Sequence, residues 1–361
     1  MGKLKIAHIV SDLLSGGGQK STIDLIRTTD ENVENYMILL EDKRAYEVSD
    51  IKTMYVCKDK KIYKKLDTIG DYLLSIKLAK ILKEHKIDIA ISHMEVTAKV
   101  LRFVDITKVY YMRSDITKEL ETLYEKSVFR FLKRKKLYKN IFSNQNIITI
   151  SKDSENSLLE IISPKRIETI YNPFDFEKIK NLSNDEYDGL NDEYIVQIGS
   201  GIKVKRQDVL VKAFAKVEDK NIKLLLLGTD RYDELLELIK SLNLEDRVVF
   251  YPYTTNPYPF IKNAKLLVVS SQREGLPRVI VESLALNTPV ASTDCDTGPR
   301  EVLVNELSAY LANVNDSDDL AKRIDSALES YPEISDKYIE KFNKNKIGKK
   351  FFDFVKDLNH I

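Results

Sequence analysis

Residues 271–282 read Ser-Gln-Arg-Glu-Gly-Leu-Pro-Arg-Val-Ile-Val-Glu and follow directly on the apolar run KLLVVSS at 265–271. Pro277 suits the first turn of a helix, where a missing N–H costs nothing. Glu274 and Gly275 then sit in the loop above that helix, and Glu282 lies about a turn and a half inside it. The free amides of a first helical turn, with the positive end of the helix dipole, attract an anion such as a diphosphate. Gly275 lets the backbone approach a ligand with no Cβ in the way. Two carboxylates beside an anion site repel phosphate, so they need a different partner. Adjacent hydroxyls of a ribose or hexose supply one, because a carboxylate accepts two hydrogen bonds from a diol. The plainer alternative is a capped, solvated helix with incidental glutamates.

Three further segments carry chemistry-bearing residues. Gly16, Gly17 and Gly18 follow the first apolar run, LKIAHIV at 4–10. Their spacing is neither G-x-G-x-x-G nor G-x-x-x-x-G-K-S, so it matches neither a dinucleotide fingerprint nor a P-loop. As a strand-to-helix turn the triplet either brings backbone N–H groups near a donor phosphate or is only a flexible turn. His93 and Glu95 follow the run IDIAIS at 87–92. Such a histidine is either a general base toward an acceptor hydroxyl or an acceptor-binding or packed side chain. Residues 125–141 carry seven basic side chains against one acid, interleaved with Val128, Phe129, Phe131 and Leu132. A basic amphipathic helix reads as an element lying on an anionic membrane surface. The alternative is a solvated helix whose aromatic face packs on its own domain.

These segments hang on a repeating framework. Short β-branched runs at 4–10, 87–93, 108–113, 146–151 and 166–172 alternate with helix-length stretches, and a second series follows at 194–200, 223–228, 247–253, 265–271 and 289–294. Continuous apolar runs mark strands buried on both faces, hence parallel sheets covered by helices. The alternation predicts an α/β, doubly wound architecture. Between the two series, residues 173–193 are polar and acidic, which is linker chemistry. The expected organisation is therefore a lobe at 1–172, a linker at 173–193, a second lobe at 194–335, and a C-terminal helix at 336–361 that returns to the first lobe. Two Rossmann-like lobes face a cleft, and ligands of such sheets bind beyond the carboxyl ends of the strands.

Composition narrows the function classes. The 361 residues suggest two domains. Lys+Arg (57) and Asp+Glu (56) nearly cancel, and a net charge of +1 argues against a nucleic-acid binder. Two cysteines, Cys57 and Cys295, fit a reducing cytosol rather than a disulfide framework. With four histidines (His8, His85, His93, His360) there is no zinc-ligand spacing, so no metal site is expected. The N-terminal apolar run lacks a small-residue cleavage site, and no stretch approaches the ~20 apolar residues of a membrane span. A cytoplasmic protein, peripheral to the inner membrane face if residues 125–141 bind lipid, is the expectation.

The segment SSQREGLPRVIVESLALNTPVASTD resembles the signature of the retaining GT-B glycosyltransferases of the GT4 family, with its EGLP loop and E-x7-E pair. Residues 226–271 and the Thr297-Gly298-Pro299-Arg300-Glu301 segment resemble the same family in the same order. Gly16-Gly17-Gly18-Gln19-Lys20 is similar to its first-strand loop, and Ile170-Tyr171-Asn172-Pro173 to the segment that ends its N-lobe. The resemblance implies roles. Glu282 corresponds to the carboxylate on the donor ribose, and Glu274 to the one facing the transferred sugar, with Gly275, Leu276 and Pro277 around the sugar and phosphate. Lys205 corresponds to the lysine that neutralises the leaving diphosphate, although Lys203 and Arg206 stand beside it. Gly17, Gly18, Ser200, Arg206, Gly228 and Tyr253 join the donor-side candidates, and His93 and Arg113 the acceptor-side ones. Two departures stand out. Ser200 occupies a place where many members have arginine, and Met112-Arg113-Ser114-Asp115 replaces a loop that often holds histidine. Arg113 is either a strand-end cation facing the cleft, the group of this lobe nearest the donor sugar, or a surface partner of Asp115.

The family implies a retaining, metal-independent hexosyltransferase with no cofactor. It would move a hexose or N-acetylhexosamine from a nucleotide-diphosphate sugar, a UDP-sugar by expectation, to a hydroxyl of a lipopolysaccharide, capsule or lipid-linked glycan. The rival readings are a nucleotide-sugar epimerase and a non-catalytic nucleotide-sugar-binding scaffold.

Overall fold

The computed structural model describes the whole chain except residues 1–2, 15–16, 114–115, 202, 230–231, 296 and 359–361 and the side chain of Lys118. Gly16, Ser114, Asp115 and His360, named above, thus lie outside the described residues. The chain divides into two compact units, one formed by Met1–Pro173 with Lys344–Ile361 and the other by Phe174–Asn343. The segment 173–193, read above as linker, carries the helix Phe176–Leu182 and belongs to the second unit. Asp175 caps that helix by accepting from the amide of Lys178, so the acidic residues there start structure rather than avoid it. The second unit also runs on to Asn343, past the expected end at 335.

The first unit is built on seven strands: β1 (Leu4–Val10), β2 (Val33–Glu41), β3 (Lys52–Cys57), β4 (Ile89–Ser92), β5 (Thr107–Met112), β6 (Asn146–Thr149) and β7 (Arg166–Thr169). All pair in parallel, in the order β3-β2-β1-β4-β5-β6-β7. Along β1, Ala7 and Ile9 enter the core under the helices Asp67–Glu84, Glu95–Leu101 and Val128–Phe142, whereas Val10 joins Ile23, Met37 and Leu39 on the opposite face. That two-residue alternation is the pleat of the strand, with both faces covered. Each fully buried Leu or Ile contributes about 1.5–3 kcal/mol. The strands β2 and β3 were not among the runs predicted from sequence. β3 is an edge strand whose Lys52 and Tyr55 are exposed, so it shows no continuous apolar signal. Tyr36–Leu40 within β2 is apolar throughout and met the same criterion.

The second unit holds β8 (Tyr194–Ile198), β9 (Lys223–Leu227), β10 (Val248–Tyr251), β11 (Leu266–Val269), β12 (Val290–Thr293) and β13 (Leu311–Ala312), in the order β10-β9-β8-β11-β12-β13. It is likewise parallel. In each sheet the chain winds outward from the first strand and then restarts on its other side, between β1 and β4 and between β8 and β11. Those are the topological switch points, where strand ends of open α/β sheets leave room for ligands.

Candidate active site

The loop after β8 and the loop after β11 meet at the switch point of the second unit. Residues Lys203–Lys205 form a 3-10 turn stitched to the β11 loop by two bonds: the hydroxyl of Ser270 donates to the carbonyl of Lys205 (2.8 Å), and the amide of Gln272 donates to Val204 (2.8 Å). This turn selects Lys205 from its basic neighbours. Its Nζ donates to Oε1 of Glu274 at 2.7 Å, and the hydroxyl of Ser271 donates to the same oxygen at 2.6 Å. Glu274 keeps 12% of its side chain exposed and Lys205 25%. The pair is therefore fixed but open to exchange with a ligand. Arg206 instead turns to Asp208, donating from Nε and Nη2 at 2.8 Å each, and to Asn315. Lys203 is exposed.

Glycines shape this corner. Gly199 has φ +151°, and the Lys205 side chain runs across it, with Cε 3.6 Å from where a Cβ would stand. Gly298, at φ +92°, is tucked under the EGLP loop. A Cβ there would lie 2.6 Å from the carbonyl oxygen of Gly275 and 2.8 Å from Cδ of Pro277. Thr297 ties the same loop by donating its hydroxyl to the carbonyl of Glu274. Ser200 is exposed, and its carbonyl accepts from the Gln207 amide at 3.1 Å. Gly228 and Tyr253 lie side by side at the ends of β9 and β10, Tyr253 with its ring exposed.

The helix after the loop spans Arg278–Ala285, and Pro277 is its N-cap, one position earlier than the first turn expected from sequence. A proline at this place has no amide of its own to leave unpaired, and no side chain caps the amides of the first turn. Leu276 is buried beneath the loop. Glu282 lies on the buried flank of the helix, with Oε1 3.4 Å from the hydroxyl of Tyr258 and 3.4 Å from Nε of Arg278. Arg278 in turn lies over the ring of Phe174, 4.4 Å from its centroid. Burial, with the Glu274 charge nearby, pushes the Cys295 thiol up to about 12, so it is no nucleophile at neutral pH.

The acceptor-side candidates gather at the switch point of the first unit. His93, directly after β4, has no exposed surface. Its Nε2 is 2.8 Å from Nδ1 of His8, and its Nδ1 accepts from Nε (3.2 Å) and Nη2 (3.1 Å) of Arg113. Burial first, then the Arg113 charge, pushes its pKa well below the ordinary value. With both ring nitrogens occupied, His93 is a packed residue and not a base open to an acceptor. Arg113 also donates from Nη1 to Asn172 at 2.7 Å. Gly17 and Gly18 are already the first residues of the helix Gly17–Arg27, not a turn before it, and a Cβ on Gly18 would stand 3.8 Å from Cδ of Arg113.

Residues 179–346 match the family model of glycosyl transferases group 1, which spans nearly the whole second unit. Over its full length the chain is 28% identical to the N-acetylgalactosamine-N,N'-diacetylbacillosaminyl-diphospho-undecaprenol 4-alpha-N-acetylgalactosaminyltransferase of Campylobacter jejuni, covering 98% of this chain and 96% of that one. It is 23% identical to the capsular polysaccharide biosynthesis glycosyltransferase CapH of Staphylococcus aureus, over 81% of each. In fold it is similar to Anabaena Alr3699/HepE, solved in complex with UDP and glucose, with a TM-score of 0.77, 18% identity and coverage of 98% of this chain and 99% of that one. The chain has the GT-B fold, and the sequences it is similar to are glycosyltransferases.

Among the described residues, no three His, Cys, Asp or Glu side chains cluster to hold a metal ion, and no helix is long and apolar enough to cross a membrane. Gly298, Thr297, Ser271, His8 and Asn172 were not singled out as site residues from the sequence. Gly298, Thr297, Ser271 and Asn172 stood inside motifs already quoted, whereas nothing near His8 in the sequence distinguishes it from any other buried strand residue.

Proposed function

We propose that this protein is a glycosyltransferase that moves a hexose or N-acetylhexosamine, with retention and without a metal, from a UDP-sugar to a hydroxyl of a lipid-linked or cell-surface glycan. The observation that carries the reading is the Lys205–Glu274 pair at the mouth of the helix Arg278–Ala285. In the free protein Glu274 holds the ammonium. An incoming diphosphate competes for Lys205 and for the amides at the helix start, which releases the carboxylate to accept hydrogen bonds from the donor sugar. Glu282 takes the ribose diol, whose bonds replace its 3.4 Å contact with Tyr258, long for a hydroxyl on a carboxylate. The C1–O bond then breaks with its electrons going to the diphosphate, where Lys205 and the helix dipole stabilise the developing charge. The acceptor hydroxyl attacks the face the diphosphate has left and passes its proton to a diphosphate oxygen. No enzyme nucleophile enters this route, and the donor is the only co-substrate. The relatives support the substrate class: the Campylobacter protein is named for an alpha linkage on an undecaprenyl diphosphate, and HepE was solved with UDP.

The first unit provides the acceptor side and, in this reading, rests on the cytoplasmic face of an anionic membrane. Its helices break at Ser127, so the basic segment is the helix Val128–Phe142 and not one helix over 125–141. The C-terminal end of that helix buries Tyr138, Ile141 and Phe142, while Val128, Phe129 (77% exposed) and Leu132 face outward. The same helical layer continues through Tyr72 and Phe103, whose rings meet edge-on, to the helix Asp67–Glu84. There Ile69 (64% exposed), Leu73 and Ile76 form an outward stripe next to five lysines between 58 and 65. Of seventeen exposed large apolar side chains among the described residues, twelve lie between Ile62 and Leu132. Apolar residues flanked by lysines suit an anionic lipid surface, at about 1 kcal/mol per cation.

Thermal shift with UDP-, GDP- and ADP-sugars tests the donor, because a ligand of the native state alone raises the melting temperature. UDP-sugars should stabilise and the others should not. UDP release unaffected by EDTA, with an axial anomeric product from an axial donor, supports metal independence and retention. Binding without turnover on any lipid-linked glycan points to a scaffold instead. Co-sedimentation with anionic vesicles, lost at high salt, tests the membrane side.

A further inference from the structure

His8 and His93 belong to no part of the transfer chemistry, yet both are fully buried at the switch point of the first unit. His8 lies on the face of β1 that meets the C-terminal helix Lys344–Leu358, with its ring 5.9 Å from that of Phe351. The amide of His93 donates to the carbonyl of Ile9 at 3.1 Å, which extends the β1–β4 ladder and sets the two imidazoles side by side, 19° from parallel.

The direction of every bond in this cluster follows from its end. A guanidinium has donors only. Since Nε and Nη2 of Arg113 both point at Nδ1 of His93, that nitrogen carries no proton. The proton is on Nε2 and is donated to Nδ1 of His8 at 2.8 Å. The proton of His8 is then on its own Nε2 and goes to Oδ1 of Asn35 at 3.0 Å. The Asn35 amide is oriented in turn by donating from Nδ2 to the Thr29 hydroxyl and the Ile26 carbonyl. A second proton on either ring sets two N–H groups against each other. On its other edge the guanidinium donates to Asn172, and its plane lies over the Tyr111 ring, 4.3 Å from the centroid. The Tyr111 hydroxyl is anchored on the carbonyl of Ile170 at 2.6 Å.

We propose that His93 and His8 are positioning residues for glycosyl transfer: a one-directional series of two neutral imidazoles that holds the Arg113 guanidinium in a single orientation toward the acceptor. A carboxylate at position 93 would also hold the arginine but would neutralise it. A neutral imidazole fixes its orientation without adding a counter-charge of its own. The role assigned to Arg113 rests on the first unit being the acceptor side; the hydrogen-bond series does not.

Long-range proton–nitrogen NMR on the full-length protein with labelled histidine tests the series without any substrate. Both rings should be in the Nε2–H form and unprotonated at pH 6; an Nδ1–H form or a charged ring on either residue overturns the proposal. Nitrogen-labelled arginine should show slow rotation of the Arg113 guanidinium in the wild type and fast rotation in His93→Phe; unchanged rotation also overturns it. With a UDP-sugar and an undecaprenyl-diphosphate-linked N-acetylgalactosaminide, kcat/KM for the acceptor in His93→Phe should fall on the order of ten- to a hundredfold. His93→Gln, which accepts and donates along the same line, should recover most of that loss. Adding His93→Phe to Arg113→Ala should cost nothing further, and full additivity, or wild-type kcat/KM in His93→Phe, contradicts the positioning role. A wild-type protein that binds and cleaves no nucleotide sugar overturns the functional reading instead, while the NMR result still decides the series.

Discussion

The two switch points of this chain solve opposite problems with similar scaffolds. In the second unit the polar cluster is charged, partly open and held by bonds a ligand can replace: Lys205, Glu274 and Ser271 share one carboxylate oxygen. In the first unit the cluster is closed, and its two imidazoles are uncharged, with every proton committed along the series from Arg113 to Asn35. Exchangeable charge suits a site that must meet and release a diphosphate. Fixed neutral groups suit a support that must not move while something else reacts. The outer surfaces differ too, since among the described residues the exposed large apolar side chains concentrate on the helices of the first unit, and Leu236 and Tyr253 alone represent the second.

The contrast is sharpest where charge is removed. Lys205→Ala and Glu274→Ala should each lower kcat for UDP release about 10²–10³-fold, the usual cost of losing one stabilising group at a developing anion. A Lys205→Ala protein within threefold of wild type would show that the open cluster is not catalytic. Acid should separate the two clusters next. Burial is the main cause that pushes His8 down to about 4, with the Asn35 bond opposing and Arg113 adding to it; His93, Arg113 and Tyr111 are the titratable groups around the pair. The unfolded chain binds this proton first, so the stability present above pH 6.5 is lost as pH falls toward 4. The displacement of His8 alone corresponds to about 3 kcal/mol once complete. Urea midpoints measured between pH 7 and 4.5 should therefore decline, and less steeply in His8→Gln.

A smaller effect is expected at Gly298. Gly298→Ala places a Cβ against the Gly275 carbonyl at a φ that side chains rarely adopt, and should cost about 2 kcal/mol. A wild-type urea midpoint with full donor affinity would mean that the EGLP loop yields freely. Least costly to the fold is the outer layer. Ile69→Asp with Ile76→Asp should change stability by less than about 0.5 kcal/mol, yet reduce pelleting with anionic vesicles; unchanged pelleting would remove the surface difference between the units.

Much of the second unit was legible because its signals are local. Strand, loop and helix start of the EGLP segment lie within about twenty consecutive residues, so composition and Pro277 alone locate the helix to within one position. The first unit was less legible. β3 is an edge strand with no continuous apolar run, and the break at Ser127 is set by a single hydroxyl that accepts from the Arg130 amide. His93 was visible, but its neutrality was not, because the groups that decide it come from β1, β2 and β5.

The sequence by itself determined the two layers of buried parallel strands and the placing of two carboxylates around one helix start, since both depend on periodicity and on neighbours along the chain. Tertiary structure decided which lysine meets Glu274, 69 residues away, and that His8 and His93, 85 apart, share one proton direction with Arg113. Those outcomes depend on which strand ends the sheet order brings together, and on the loss of water around them. Neither burial nor a donor's direction is a property of a residue until its neighbours are in place.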